Sequence, residues 1–137
     1  MLNEAEEQVG IIRKTAEVIP DARDPRYVKH TIADILAQRV LQIACGYEDA
    51  NDCNSLRGDP LFKMLAGRLP ETGDPLASRP AMSRFENSLS RTDLYRPAAA
   101  FADVFIASCE TPPSVTIIDA GDTEDKVFGS QQQALFN

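Results

Sequence analysis

The chain has 137 residues, 43% hydrophobic and 26% charged, a balance that suits one globular domain with a core and excludes a fibrous or disordered polypeptide. No apolar run reaches the roughly 20 residues a membrane helix needs. The acidic start MLNEAEEQVG lacks the basic and apolar regions of a signal peptide, so a cytoplasmic protein with no membrane partner is expected. A net charge of −7 argues against DNA binding over the whole surface, because neutralising phosphates takes clustered Lys and Arg.

Charge is unevenly spread, however. Arg13, Lys14, Arg23, Arg26, Lys29 and His30 fall in one stretch, and Arg79, Arg84, Arg91 and Arg96 in another. Cys45, Cys53 and Cys109 lack the paired spacing of a zinc site, and His30 is the single histidine. Reduced, partly buried thiols are expected.

From Glu4 to Val18, apolar residues at Val9, Ile11, Ile12, Ala16 and Val18 predict one helix, ended by Pro20. Asp24-Pro25 then reads as an N-cap acid with proline at the first helical position. Val28, Ile32, Ile35, Leu36, Val40, Leu41 and Ile43 recur at helical spacing up to Gly46, predicting a long helix with one broad apolar face. GYEDANDCNSLRGDP is rich in turn-forming Asp, Asn and Gly. Asp59-Pro60 repeats the cap signal before a short helix through Leu61, Phe62, Met64 and Leu65, stopped at Gly67. LPETGDPLASRP reads as a loop. A short helix follows from Pro80 to Ser88, then a longer one from Thr92 to Cys109 with Leu94, Ala98, Phe101, Ala102, Phe105 and Ile106 inward. After Thr111-Pro112-Pro113 the character changes: SVTIID is β-branched and nearly all apolar, as in a strand buried on both faces. GDTEDKVFGS is a turn, and QQQALFN can open a second strand.

The strand ends in Asp119, with Asp122, Glu124 and Asp125 close behind. Carboxylates at the end of a buried strand suit Mg²⁺ or Mn²⁺, although an Asp capping the next turn fits the same spacing. Tyr47, Glu48, Asp49 and Asp52 read better as a turn held by side-chain bonds than as a metal site. No glycine-rich phosphate loop, dinucleotide fingerprint or nucleophile elbow is present, and His30 lies far from any acid-bearing strand, which argues against a hydrolase triad. On the helix Pro80 to Ser88, Arg84 and Asn87, with Arg79 and Ser83, have the chemistry for DNA contact, since Arg forks onto guanine or phosphate and Asn pairs with adenine. Phe85 and Leu89 at i, i+4 describe an ordinary amphipathic helix equally well.

Several passages together are more specific. PDARDPRYVKHTIADILAQRVLQIACGYEDANDCNSLRGDPLFKMLAGR carries Arg23-Asp24-Pro25, Gln38-Arg39-Val40, Gly46-Tyr47-Glu48-Asp49 with Asn51-Asp52, and Asp59-Pro60. LASRPAMSRFENS and VTIIDAGDTEDKVFGSQQQALFN follow, the latter with Gly129 and Gln131. From about Ala16 onward this order of motifs resembles the N-terminal region of DDE transposases of bacterial insertion sequences, in particular the insertion sequence 1380 group. The resemblance implies a mainly α chain: a helical region over residues 1–110, then, over residues 111–137, the first strands of a truncated ribonuclease-H-like α/β catalytic domain entered at Ser114. It further implies DNA, as transposon ends, for a partner, with self-association in the complete protein. Asp119 matches the first metal-binding acid. The second place of the family's Asp-x-Asp pattern falls on Gly121, with Asp122 one position later. Asp119 and Asp122 are thus the candidate catalytic residues and ligands for Mg²⁺ or Mn²⁺.

Two-metal phosphoryl transfer needs carboxylates from several strands, and only one strand's worth is present. A chain with no nuclease or strand-transfer activity of its own is therefore expected, retaining at most DNA binding or assembly. The competing expectation is a helical module that binds protein rather than DNA.

Overall fold

The computed structural model describes residues 2–111 and 113–118. It contains seven helices among those residues: α1 (Leu2–Val9), α2 (Ile11–Val18), α3 (Ile32–Ala44), α4 (Asp52–Leu56), α5 (Pro60–Leu65), α6 (Arg79–Ser88) and α7 (Arg91–Ser108). The expected mainly helical architecture is what forms. No described helix is long and apolar enough to cross a membrane.

The first expected helix is in fact two. Gly10 adopts a left-handed conformation, φ 66°, which a helix cannot continue through. The Glu6 carboxylate reaches past the break and accepts from the amides of Ile12 and Arg13, each at 3.0 Å. Those amides are donors the new helix would otherwise leave bare, so the kink is capped where it occurs.

The long helix expected from Asp24 also starts later. Asp24 does cap, accepting from the Arg26 amide at 3.1 Å, but only a single 3₁₀ turn follows, Pro25–Tyr27. The helix proper begins after Thr31, whose hydroxyl accepts from the Asp34 amide while the Asp34 carboxylate accepts from the Thr31 amide. This reciprocal capping box outcompetes the earlier signal. At the far end Gly46 takes φ 86°. The Tyr47 amide then bonds back to the Gln42 carbonyl at 2.8 Å and the Gly46 amide to Ile43 at 2.9 Å, a left-handed cap that satisfies the last carbonyls.

The core gathers Ile19, Ile35, Cys53, Ala77, Met82 and Phe85, with Ile32, Leu36, Ala81 and Leu89 around them. Cys53 belongs to α4, a helix that forms inside the stretch expected to be all turn. Two glutamines lie on the inward side of α3, where an apolar face was expected, while Val40 and Ile43 are exposed. Gln38 is 1% exposed. Its Nε2 donates to the Ala77 carbonyl at 3.0 Å and its Oε1 accepts from the Ala77 amide at 2.8 Å, so the side chain mimics a strand neighbour for one residue of loop. Gln42, one turn on, accepts from the Cys53 thiol at 3.1 Å.

Helix α2 packs on both α3 and α7. It presents Ile12, Thr15 and Ala16 as its buried residues, and α7 presents Ala100 and Val104. This reverses the expected face of α7: Leu94, Phe101, Phe105 and Ile106 stay exposed. Small and β-branched side chains let two helices approach closely, which the phenylalanines would prevent. The expected buried strand is also absent among the described residues. Val115, Ile117 and Ile118 are largely exposed, and no described segment offers them a ladder. The rest of that strand, and the turn after it, lie outside the described residues.

Replacing Gln38 with Leu keeps the volume but strands the Ala77 amide and carbonyl. Each buried group left unpaired costs about 1–3 kcal/mol, so urea unfolding of Gln38→Leu is expected to show a loss of that order for each. In Gln38→Glu a protonated carboxyl again offers one donor and one acceptor. Its deficit relative to the parent is expected to narrow as pH falls. A Gln38→Leu midpoint equal to the parent's would remove this bond pair from any structural role.

Candidate nucleic-acid interface

Helix α6 is held at both ends. Its Arg79 amide donates to Asn54 Oδ1 of α4 at 3.0 Å, supplying the cap that the Ser78 side chain does not make. Toward its other end Glu86 accepts from Arg39 of α3 at 2.8 Å, and Arg39 also donates to the Glu48 carbonyl at 2.8 Å. Met82 and Phe85 face the core. The opposite side of the helix turns outward, and there the structure brings the four expected DNA-contact residues together. Arg79, Arg84 and Asn87 are exposed and Ser83 is half-buried. Arg79, Ser83 and Asn87 follow at i, i+4 and i+8, one ridge of a helix, while Arg84 lies beside that ridge. Asn87 is already oriented: its Nδ2 donates to the Ser83 carbonyl at 2.8 Å and lies 3.2 Å from the Ser83 hydroxyl.

Beside α6 a groove of about 910 Å³ opens between that helix and the chain leading into α3. Arg84 reaches it from α6, Arg57 from the end of α4, and Arg23, Lys29 and His30 from the entering segment. The two basic stretches of the sequence therefore meet here, with Arg57, which neither stretch contained. The acids on the same walls are already engaged. Asp21 is bound by Arg23 through two contacts of 2.7 Å, which hold its carboxyl below the usual range. Asp24 is bound by Arg26 at 2.6 Å, and Asp93 closes the capping box of α7 with Ser90. Among the described residues Lys29, Arg57 and Arg84 have no acidic partner.

His30 lines the same groove and is half-buried. Burial is the largest influence lowering its pKa, and the nearby charges of Arg68, Arg57 and Lys29 act in the same direction against a smaller opposing pull from Asp34. Its Nδ1 sits 3.3 Å from an Arg68 nitrogen.

The other expected chemistry is elsewhere or absent. Asp49 accepts from the Asn51 amide and side chain at 2.8 and 2.9 Å, the side-chain-bonded turn expected for this stretch, and the Asn51 amide is the main cause of its lowered pKa. Cys45, Cys53 and Cys109 are free thiols. No cluster of three or more His, Cys, Asp or Glu side chains suited to a metal occurs among the described residues. Asp119 and Asp122 lie outside them. Sequence reading did not single out Tyr27 or Arg57. Neither carries a motif, and only the fold sets them on the wall of one groove.

Residues 1–137 match the transposase DDE domain family, group 1, and the chain belongs to the DDE transposases. No curated protein and no solved structure matches the chain.

A histidine with a lowered folded pKa takes up its proton in the unfolded chain first, at about pH 6.5. The unfolded state then binds more protons through the window below that value, so stability falls as pH drops through it. Denaturant melts between about pH 7 and pH 5 are expected to show this loss, and His30→Asn to flatten it. The bonded carboxylates Asp21, Asp24, Asp49 and Asp93 add a separate loss only below about pH 3.9. An unchanged pH profile in His30→Asn would contradict the assignment.

Proposed function

We propose that this chain serves DNA transposition as part of a DDE transposase of the insertion sequence 1380 group, with residues 1–110 engaging transposon-end DNA. The observation that carries the proposal is the outward face of α6. Arg79, Ser83, Arg84 and Asn87 stand together on a helix braced against α3 and α4, beside a groove whose free side chains are cationic. A helix braced in this way can enter the major groove of a duplex. There Asn87 would read a base edge and the arginines would take phosphates or guanine.

In the same reading, residues 111–137 belong to the catalytic region. Asp119 and Asp122 are the residues that would hold Mg²⁺ or Mn²⁺, whose chemistry is to activate an oxygen nucleophile for attack on a phosphodiester. The order of family motifs around them supports this assignment.

A second reading, a helical module that binds protein, has its own support in the exposed apolar side of α7. Salt separates the two. Binding to a duplex taken from either flank of the coding sequence is expected to weaken steeply with salt, with a log–log slope of about −0.9 for each phosphate neutralised. Arg84→Ala is expected to lower the magnitude of that slope by about one. Asn87→Ala should keep the slope while eroding preference over a scrambled duplex by about 1–3 kcal/mol. Absence of duplex binding at low salt, or binding indifferent to salt, would favour the protein-binding module.

A further inference from the structure

We propose that the groove between residues 20–30 and α6 holds an unpaired stretch of DNA, one base stacked on Tyr27 and the adjoining phosphates on Lys29, Arg57 and Arg84. This rests on the reading of α6 as a DNA-contacting helix, and adds that the protein takes strand as well as duplex, in the concavity beside that helix, with Arg84 on the edge the two share.

Shape is the first argument. Duplex DNA is read by protein elements that protrude into its grooves, which suits the convex face of α6. A concavity of about 910 Å³ instead falls in the range of pockets that enclose a small ligand, roughly 300–1,000 Å³. It can admit a nucleotide or two of displaced strand and not a double helix.

Chemistry is the second. Single-stranded nucleic acid is held by a cationic track combined with an aromatic ring on which a base can stack. Tyr27 lines the groove and is 80% exposed, so its ring contributes almost nothing to the core. The Arg26 guanidinium stands 5.8 Å over the ring centroid, and Asp24 holds that arginine in place. A base would thus meet an aromatic platform backed by a fixed cation. Around it Lys29, Arg57 and Arg84 lack acidic partners among the described residues, while all three acids on the walls are occupied by neighbours. Arg57 is also well placed to stay: its carbonyl accepts from the Leu76 amide at 2.9 Å, fixing the backbone from which the guanidinium projects.

The chain contains no tryptophan, so Tyr27→Trp provides a single fluorophore on the proposed platform. A short thymidine oligonucleotide is expected to quench its emission, while an abasic phosphodiester of the same length is not. Tyr27→Ala is expected to weaken oligonucleotide binding between about fivefold and about 150-fold, the range seen when a stacking ring is removed, with duplex binding changed less than about twofold. Lys29→Gln combined with Arg57→Gln should reduce the single-strand salt slope by about 0.7 for each phosphate that is no longer neutralised. Equal quenching by the base-bearing and abasic oligomers would overturn the proposal, as would a Tyr27→Ala effect no larger on strand than on duplex. Tighter binding of the corresponding ribo-oligomer would overturn the choice of DNA. Arg79→Ala with Asn87→Ala keeps the two readings apart. If it leaves duplex binding intact while stacking persists, the α6 reading has failed; if it abolishes duplex binding while the tryptophan is never quenched, the groove reading has failed.

Discussion

The pair of hydrogen bonds between the Gln38 side chain and the Ala77 backbone is the constraint on which the rest of this architecture depends. The loop before α6 has no regular partner of its own, and buried backbone groups left without partners are costly. A primary amide solves both problems at once, since it carries one acceptor and one donor at the spacing of a peptide group. With Ala77 fixed, Leu76 and Ala77 can enter the core at 2% and 1% exposure. The first turn of α6 then starts from a determined place on α3. Arg39, next to Gln38 in sequence, ties the same two helices together from the other side of the contact through Glu86.

The groove follows from this arrangement. α6 is pinned across α3, and the chain entering α3 is held away from it. Arg23 spans that entering segment, binding Asp21 at one end and donating to the His30 carbonyl at 3.0 Å at the other. Between the two lies a space too polar on its rim to close by collapse. Its floor is formed by Ile32, Ile35, Ala81 and Phe85, its walls by charged side chains. The motif residues behind the family resemblance prove to be largely structural. Gln38 and Arg39 brace α6, Asp24 and Asp59 cap helical turns, and Gly46 reverses the chain after α3. They define the scaffold, and the side chains that could meet DNA sit between them.

Sequence reading succeeded where a local signal had no competitor. Asp59-Pro60 and the run to Leu65 became α5, and the segment around Phe85 became α6, with Phe85 inward. It went astray where two local signals competed or where tertiary packing decided. Asp24-Pro25 and Thr31-x-x-Asp34 both announce a helix start, and only the second recruits a reciprocal carboxylate. On α7 the large apolar residues were expected inward, but close approach to α2 selects Ala100 and Val104. The inward place of Gln38 and Gln42 was invisible because a glutamine reads as polar until its bonding partner is known. Arg57 and Tyr27 join the groove through contacts far apart in sequence, which no periodicity encodes.

A net charge of −7 first counted against nucleic acid, and the structure shows why that argument is weaker than it looks. Screening makes a surface charge matter over roughly 8–10 Å in physiological salt, so a polyanion responds to the charges near its binding site and not to the sum. Near the groove, the acids are neutralised at contact distance by arginines or engaged by helix-cap bonds, while three cations are left over. The remaining acids, many of them on the outer sides of α1 and α2 and on the loops, then act chiefly at long range. Their repulsion of a polyanion would slow encounter at low salt and, being screened as salt rises, would blunt the salt dependence of any binding.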